Sequence, residues 1–133
     1  MTVRIVTDSL SDLTSDLIGK LDITLVPLTV LFGHETFLDR VTISTDEFYH
    51  RLIHGDVWPT STQPSPQDFA NTYDKLAKTT NEILVINLSS KLSGTYQSAV
   101  AGKKALIRAG AIKDRKPEPA PILIRFLKAD VRL

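Results

Sequence analysis

An unbroken apolar run, Ile83-Leu84-Val85-Ile86, constrains this chain more than any other stretch. A strand of a half-solvated sheet alternates apolar and polar side chains, so this run within Glu82 to Leu88 predicts a strand buried on both faces, as in a parallel sheet covered by helices. Directly after it come Asn87-Leu88-Ser89-Ser90-Lys91-Leu92-Ser93-Gly94, and then Thr95 to Ala109, where nothing opposes a helix. Strand, polar turn and helix make the unit of an open α/β sheet, in which loops at the carboxyl ends of strands converge on ligands and helix amides point outward. Ser89, Ser90, Ser93 and Thr95, with Gly94 admitting close backbone approach, form a cradle of neutral donors for an anionic or polar head group. The same residues also suit an ordinary helix-capping turn.

The preceding residues fit the same plan. Val3 to Thr7 reads as a short β-branched strand ending in Asp8-Ser9, which delivers an acid and a hydroxyl to a loop and makes Ser9 a candidate contact. Leu13, Leu17, Ile18 and Leu21 recur at helical spacing behind a run of capping residues. Ile23 to Phe32 predicts a second strand, which Pro27 turns into an edge, a bulge or a bend. Gly33-His34-Glu35 then predicts a hairpin turn with Thr36-Phe37-Leu38 returning. Ser44 and Glu47 have the spacing of a capping box, and Gly55 stops the helix that they open. Trp58 to Pro66 reads as a loop, because three prolines within eight residues oppose regular hydrogen bonding. That loop carries three consecutive hydroxyls, Thr60, Ser61 and Thr62, before Ser65 caps a helix with Pro66 at its first position. Lys113 to Pro121 predicts a linker, and Pro121 to Phe126 one more strand.

Composition narrows the chemistry. With 133 residues and a formal net charge of +1, the chain has enough length for one core and no electrostatic reason to bind nucleic acid. There is no cysteine, hence no disulfide or thiolate chemistry, which agrees with a reducing, cytoplasmic setting. No apolar stretch is long enough to span a bilayer. His50 and His54 stand one helical turn apart, a spacing that two metal ligands can use, but no third ligand accompanies them and no metal or cofactor is expected. No nucleophile elbow, phosphate loop or dinucleotide motif occurs. A hydrolase using Ser93 with Asp8 and a histidine is one alternative; nothing in the sequence places a base beside the serine. Two hydroxyl segments, Thr60 to Thr62 and Ser89 to Thr95, fit better with holding a carboxylate or phosphate than with cleaving a bond, which points to a binding protein and not an enzyme.

Five blocks carry a resemblance: Val3 to Ser9, Val26-Pro27-Leu28, Ile43-Ser44 leading to Tyr49, Ser61 to Pro66, and Leu88 to Ala99. In order and spacing they resemble the amino-terminal part of the DegV family. The resemblance implies an α/β domain with a mostly parallel central sheet and helices on both faces. It implies binding of a long-chain fatty acid, its acyl chain in an apolar tunnel and its carboxylate held by hydroxyls of two loops. For some members it implies presentation of that carboxylate to a separate fatty acid kinase catalytic subunit. By the resemblance Ser61 and Ser93 stand where the family's carboxylate-contacting hydroxyls stand; Thr60, Thr62, Gly94 and Ser9 are the further ligand-binding candidates that the loops themselves supply. Apolar residues such as Val26, Leu28, Val30 or Phe32 would line that tunnel, although the sequence does not separate lining from plain core and core is the commoner role for any one of them. Residues 1–112 then form the α/β domain, and 113–133 an atypical proline-rich, basic tail that does not resemble the family's second domain. That domain supplies further head-group contacts, so the expected site is incomplete. The plainest alternative is a truncated domain that retains no ligand, and self-association through the uncovered surface is a further expectation.

Overall fold

In a computed structural model, which describes residues 2–110 and 123–128, the apolar runs assemble into two sheets. The first contains Arg4–Asp8 (β1), Thr24–Val26 (β2), Glu82–Asn87 (β6) and Leu123–Lys128 (β7) in the order β2-β1-β6-β7, every pairing parallel. The second contains Thr29–Phe32 (β3), Glu35–Leu38 (β4) and Thr60–Thr62 (β5) in the order β4-β3-β5, both pairings antiparallel. The helices are Ser15–Lys20 (α1), Thr45–His54 (α2), Pro66–Ala77 (α3) and Thr95–Arg108 (α4). A predicted linker over Lys113 to Pro121 lies outside the described residues. The expected last strand is present as β7, beside β6.

Strand order explains how helices come to cover both faces. The chain steps from β1 to β2 in one direction across the sheet and from β6 to β7 in the other. Right-handed crossovers then put α1 and α4 on opposite sides. On the α4 side Val6, Val26, Ile83, Val85 and Ile124 meet α3 and α4 in the main core, where Phe69, Tyr73 and Ala99 are fully buried. Each such large side chain contributes about 1.5–3 kcal/mol on leaving water. The other face is less covered than the Ile83 to Ile86 run suggests. α1 shares a groove with Leu25, but Ile86 keeps 36% of its surface exposed and Leu127 keeps 53%.

Local rules set most boundaries. Pro27 separates β2 from β3, so the residue that cannot donate to a ladder stands where the chain leaves one sheet for the other. Gly33, at φ 62°, supplies the positive φ that the two-residue β3–β4 turn requires. Ser44 Oγ accepts from Glu47 N at 3.1 Å, but the Glu47 carboxylate pairs with Arg51 Nε at 2.7 Å and does not return to close a capping box. Ser65 and Asp68 do form a complete box, with Pro66 at the first helical position. The expected loop at Thr60 to Thr62 is instead β5, paired with β3 through Val30 opposite Ser61. Pro59 and Pro64 flank this short edge strand without interrupting it, and β-branched threonines favour it.

Two features of the α3–α4 contact lead to measurable outcomes. A Cβ on Gly102 would lie 2.8 Å from both Phe69 Cβ and Pro66 O, so Gly102→Ala must separate the helices. Alanine favours the helix by about 1 kcal/mol, and overpacking outweighs that gain, so urea denaturation is expected to show a net loss of about 1–2 kcal/mol at unchanged slope. Tyr73 donates its hydroxyl to Ala99 O at 3.1 Å, and burial pushes its phenol above the ordinary value of 10.0. A folded-state pKa raised in this way gives stability that is complete below pH 10 and lost as pH rises beyond it. The unfolding free energy of the wild type is therefore expected to fall more steeply above pH 10 than that of Tyr73→Phe.

Candidate functional site

Strand order reverses between β1 and β6, and in open α/β sheets ligands gather at the carboxyl ends of such strands. Here those ends are joined by Asp8, which is fully buried. Its Oδ1 accepts from Leu10 N at 3.0 Å, and its Oδ2 accepts from Asn87 Nδ2 and Leu88 N, both at 3.1 Å. Next to it, Thr7 donates to Ile86 O at 2.7 Å, and Ser9 Oγ accepts from Leu28 N at 3.1 Å. A single acid thus fixes the turn after β1, the end of β6 and the start of the hydroxyl turn. Sequence reasoning treats Asp8 as a turn former or a hydrolase component and misses this role; the available signal is an acid directly after a β-branched strand.

The turn after β6 is folded on itself. Leu92 N and Ser93 N both donate to Ser89 O, at 2.9 and 3.2 Å, and Ser89 Oγ accepts from Lys91 N at 3.3 Å. Ser93 Oγ lies 2.8 Å from Thr95 Oγ1 and accepts from Thr95 N at 3.2 Å, so it satisfies a donor at the start of α4. Gly94 packs directly against the Gln63 amide, and a Cβ there would collide with it. Gln63 Nε2 in turn donates to Ser98 Oγ at 3.3 Å, which ties the end of β5 to the start of α4. The two hydroxyl segments are therefore neighbours in space. Gln63, which makes them so, carries no sequence signal that would single it out from other exposed glutamines.

Between the turn after β1 and the second sheet lies an open cleft of about 490 Å³. Its walls include Ser9, Leu28, Val30, Phe48, Thr60 and Ser61. Of the residues singled out from the sequence, Ser9, Thr60 and Ser61 line it, whereas Thr62, Ser93 and Gly94 lie outside the lining. Of the apolar candidates, Leu28 and Val30 border the cleft, but Val26 belongs to the main core, and Phe32 to a second cluster with Val30, Ile43 and Phe48. Val30 and Phe32, two residues apart, share one side of β3, so position along the strand and not alternation keeps Phe32 out of the cleft lining. Arg51 covers the second cluster from outside, 4.8 Å from the Phe37 ring centre, and its bonds to Glu47 and then Glu35 push its guanidinium pKa up. The His50 and His54 rings are 4.9 Å apart, and among the described residues no group of three or more His, Cys, Asp or Glu is placed to hold a metal. Among the same residues no helix is long and apolar enough to cross a membrane.

Comparison with known proteins places this architecture. The sequence profile described as an uncharacterised protein, DegV family, matches residues 2–117. The chain belongs to the DegV family. A DegV domain-containing protein of Caldanaerobacter subterraneus is 45% identical over 101 residues, which is 76% of this chain and 36% of that protein. A solved stearic acid-binding protein of Eubacterium ventriosum superposes with a TM-score of 0.78 at 26% identity, over 95% of this chain and 41% of that one. A DegV family protein of Thermus thermophilus, solved in a study of its fatty acid binding, gives 0.73 at 32% identity, over 96% and 41%. This DegV chain thus spans about two fifths of the length of these relatives. Its parallel sheet flanked by helices is the fold they share.

Asp8→Asn tests the joint between the strand ends. The new amide must turn an N–H toward a site where only donors approach, and the expected loss is about 2–4 kcal/mol of unfolding free energy, read from chemical denaturation.

Proposed function

We propose that this DegV chain binds a long-chain fatty acid, with the acyl chain in the cleft and the carboxylate received by hydroxyls at its rim. The observation that carries this reading is a cleft with Leu28, Val30 and Phe48 in its walls and the Thr60–Ser61 hydroxyls on one side. Fatty acid binding by the solved relatives supports it. Each buried methylene contributes about 0.8 kcal/mol, so the apolar walls supply affinity while hydroxyls fix orientation. Ser61 and Ser93 are the proposed carboxylate donors, with Thr60, Thr62, Gly94 and Ser9 shaping their surroundings. Neutral hydroxyls are less costly to desolvate than a buried ammonium and leave the carboxylate reactive, which suits transfer of the bound acid to a separate cytoplasmic kinase.

Binding without chemistry is the reading that Ser93 favours. Its hydroxyl is paired with a threonine hydroxyl, which does not act as a general base near neutral pH. A serine hydrolase would need that position for a histidine or an equivalent proton acceptor.

Mass spectrometry of lipid extracted from the purified chain is expected to find free fatty acid. Ser61→Ala and Ser93→Ala are each expected to weaken binding about tenfold, as loss of a hydrogen bond to a charged group implies, with little change in stability for the exposed Ser61. Absence of fatty acid from the extract together with failure to bind added acid would overturn the proposal.

A further inference from the structure

The cleft has a neighbour. A second groove of about 400 Å³ runs beside it, and Ile18, Gly19, Leu25 and Val41 give it a mainly apolar wall. Ser15, Arg40 and Thr45 line both spaces, so these three residues form the partition between them. Of the three, Arg40 has by far the longest side chain. Its Nη2 donates to Leu13 O at 2.6 Å, which stretches the guanidinium from the turn after β4 across to the segment before α1. The backbone beneath it is held just as firmly. Arg40 N donates to Ile43 O at 2.9 Å, and Val41 N and Thr42 N donate to Leu38 O at 3.1 and 2.9 Å. Arg40 sits at φ 63°, a conformation that side chains with a Cβ seldom adopt. Asp12, at φ 53°, also lines the cleft, so two of the three non-glycine residues with positive φ among those described border this one space. Unfavourable backbone held in place by surrounding contacts is a feature that collects at functional sites.

On the fatty-acid reading proposed above, we infer that Arg40 is a specificity-determining partition: it closes the far end of the cleft and sets the length of acyl chain that fits. With the carboxylate at the Thr60–Ser61 rim, the methyl end advances toward Arg40 and stops against it. Removing the side chain opens the first cleft into the second, where Ile18, Leu25 and Val41 would receive further methylenes.

Competition of a fluorescent fatty acid by saturated acids, from dodecanoic to docosanoic, tests this with the purified chain. Arg40→Gly removes the side chain and suits a positive φ, so it is expected to fold. Arg40→Met keeps the bulk and loses the charge. The expected result is that Arg40→Gly leaves the shortest acids unchanged and tightens binding of longer ones by about fourfold per newly buried methylene, while Arg40→Met keeps the wild-type length profile. Identical length profiles in wild type and Arg40→Gly would overturn the partition. Equal weakening of all lengths in both variants would also overturn it, by making Arg40 a carboxylate anchor instead. If neither wild type nor variants bind any acid, the fatty-acid reading fails and this inference fails with it.

Discussion

The buried Asp8 carboxyl group is the joint on which the arrangement depends. Three N–H groups converge on it, from the turn after β1, from the Asn87 amide and from the backbone of Leu88. A buried polar group is tolerated only when its hydrogen-bonding capacity is met, and Asp8 meets its own by taking donors from two different strand ends. Those ends belong to the pair across which strand order reverses, where a crevice opens in any doubly wound sheet. Asp8 therefore fixes the geometry of the floor on which the loops stand. Ser9, the next residue, extends that control to the start of β3 by accepting from Leu28 N.

A second constraint comes from the small antiparallel sheet. Pro27 sends the chain out of the parallel layer, and β3, β4 and β5 build a wall opposite the turn after β1. Leu28 and Val30 border the cleft, and Val30 also shares a cluster with Phe32, which meets Phe37 and Phe48 in edge-on ring contacts. The wall thus has its own apolar cluster and does not draw on the main core for support. β5 brings Ser61 to this wall by pairing with Val30, and the Gln63 side chain ties the end of that strand to the start of α4. Two hydroxyl segments about thirty residues apart in sequence become neighbours through one glutamine and one glycine.

Legibility in the sequence followed the range of the forces. Ser65 as a cap with Pro66 behind it, the Gly33 turn and the Pro27 break could all be read directly, because each depends on groups within a few residues. Thr60 to Thr62 could not. Prolines on either side gave the stretch the composition of a loop, and its strand character comes from β3, a partner about thirty residues away. Ile86 misled in a related way: its apolar neighbours suggested two covered faces, but α1 is short and reaches only the β1–β2 side of the sheet. That Val26 and Phe32 pack into apolar clusters, that Leu28 borders the cleft and that Val30 does both likewise required the placement of both sheets.

The sequence by itself determined the βα units, the helix starts, the hydroxyl-rich turns and membership of the DegV family, since periodicity, capping and motif order are properties of neighbouring residues. Tertiary structure alone decided that Asp8 joins two strand ends, that Ser9 and Ser61 line one cleft whose lining does not include Ser93, and that Arg40 borders two cavities. The reason is physical: burial and hydrogen bonding across a sheet act between residues that only folding brings within a few ångströms, and no local pattern records which of them will meet.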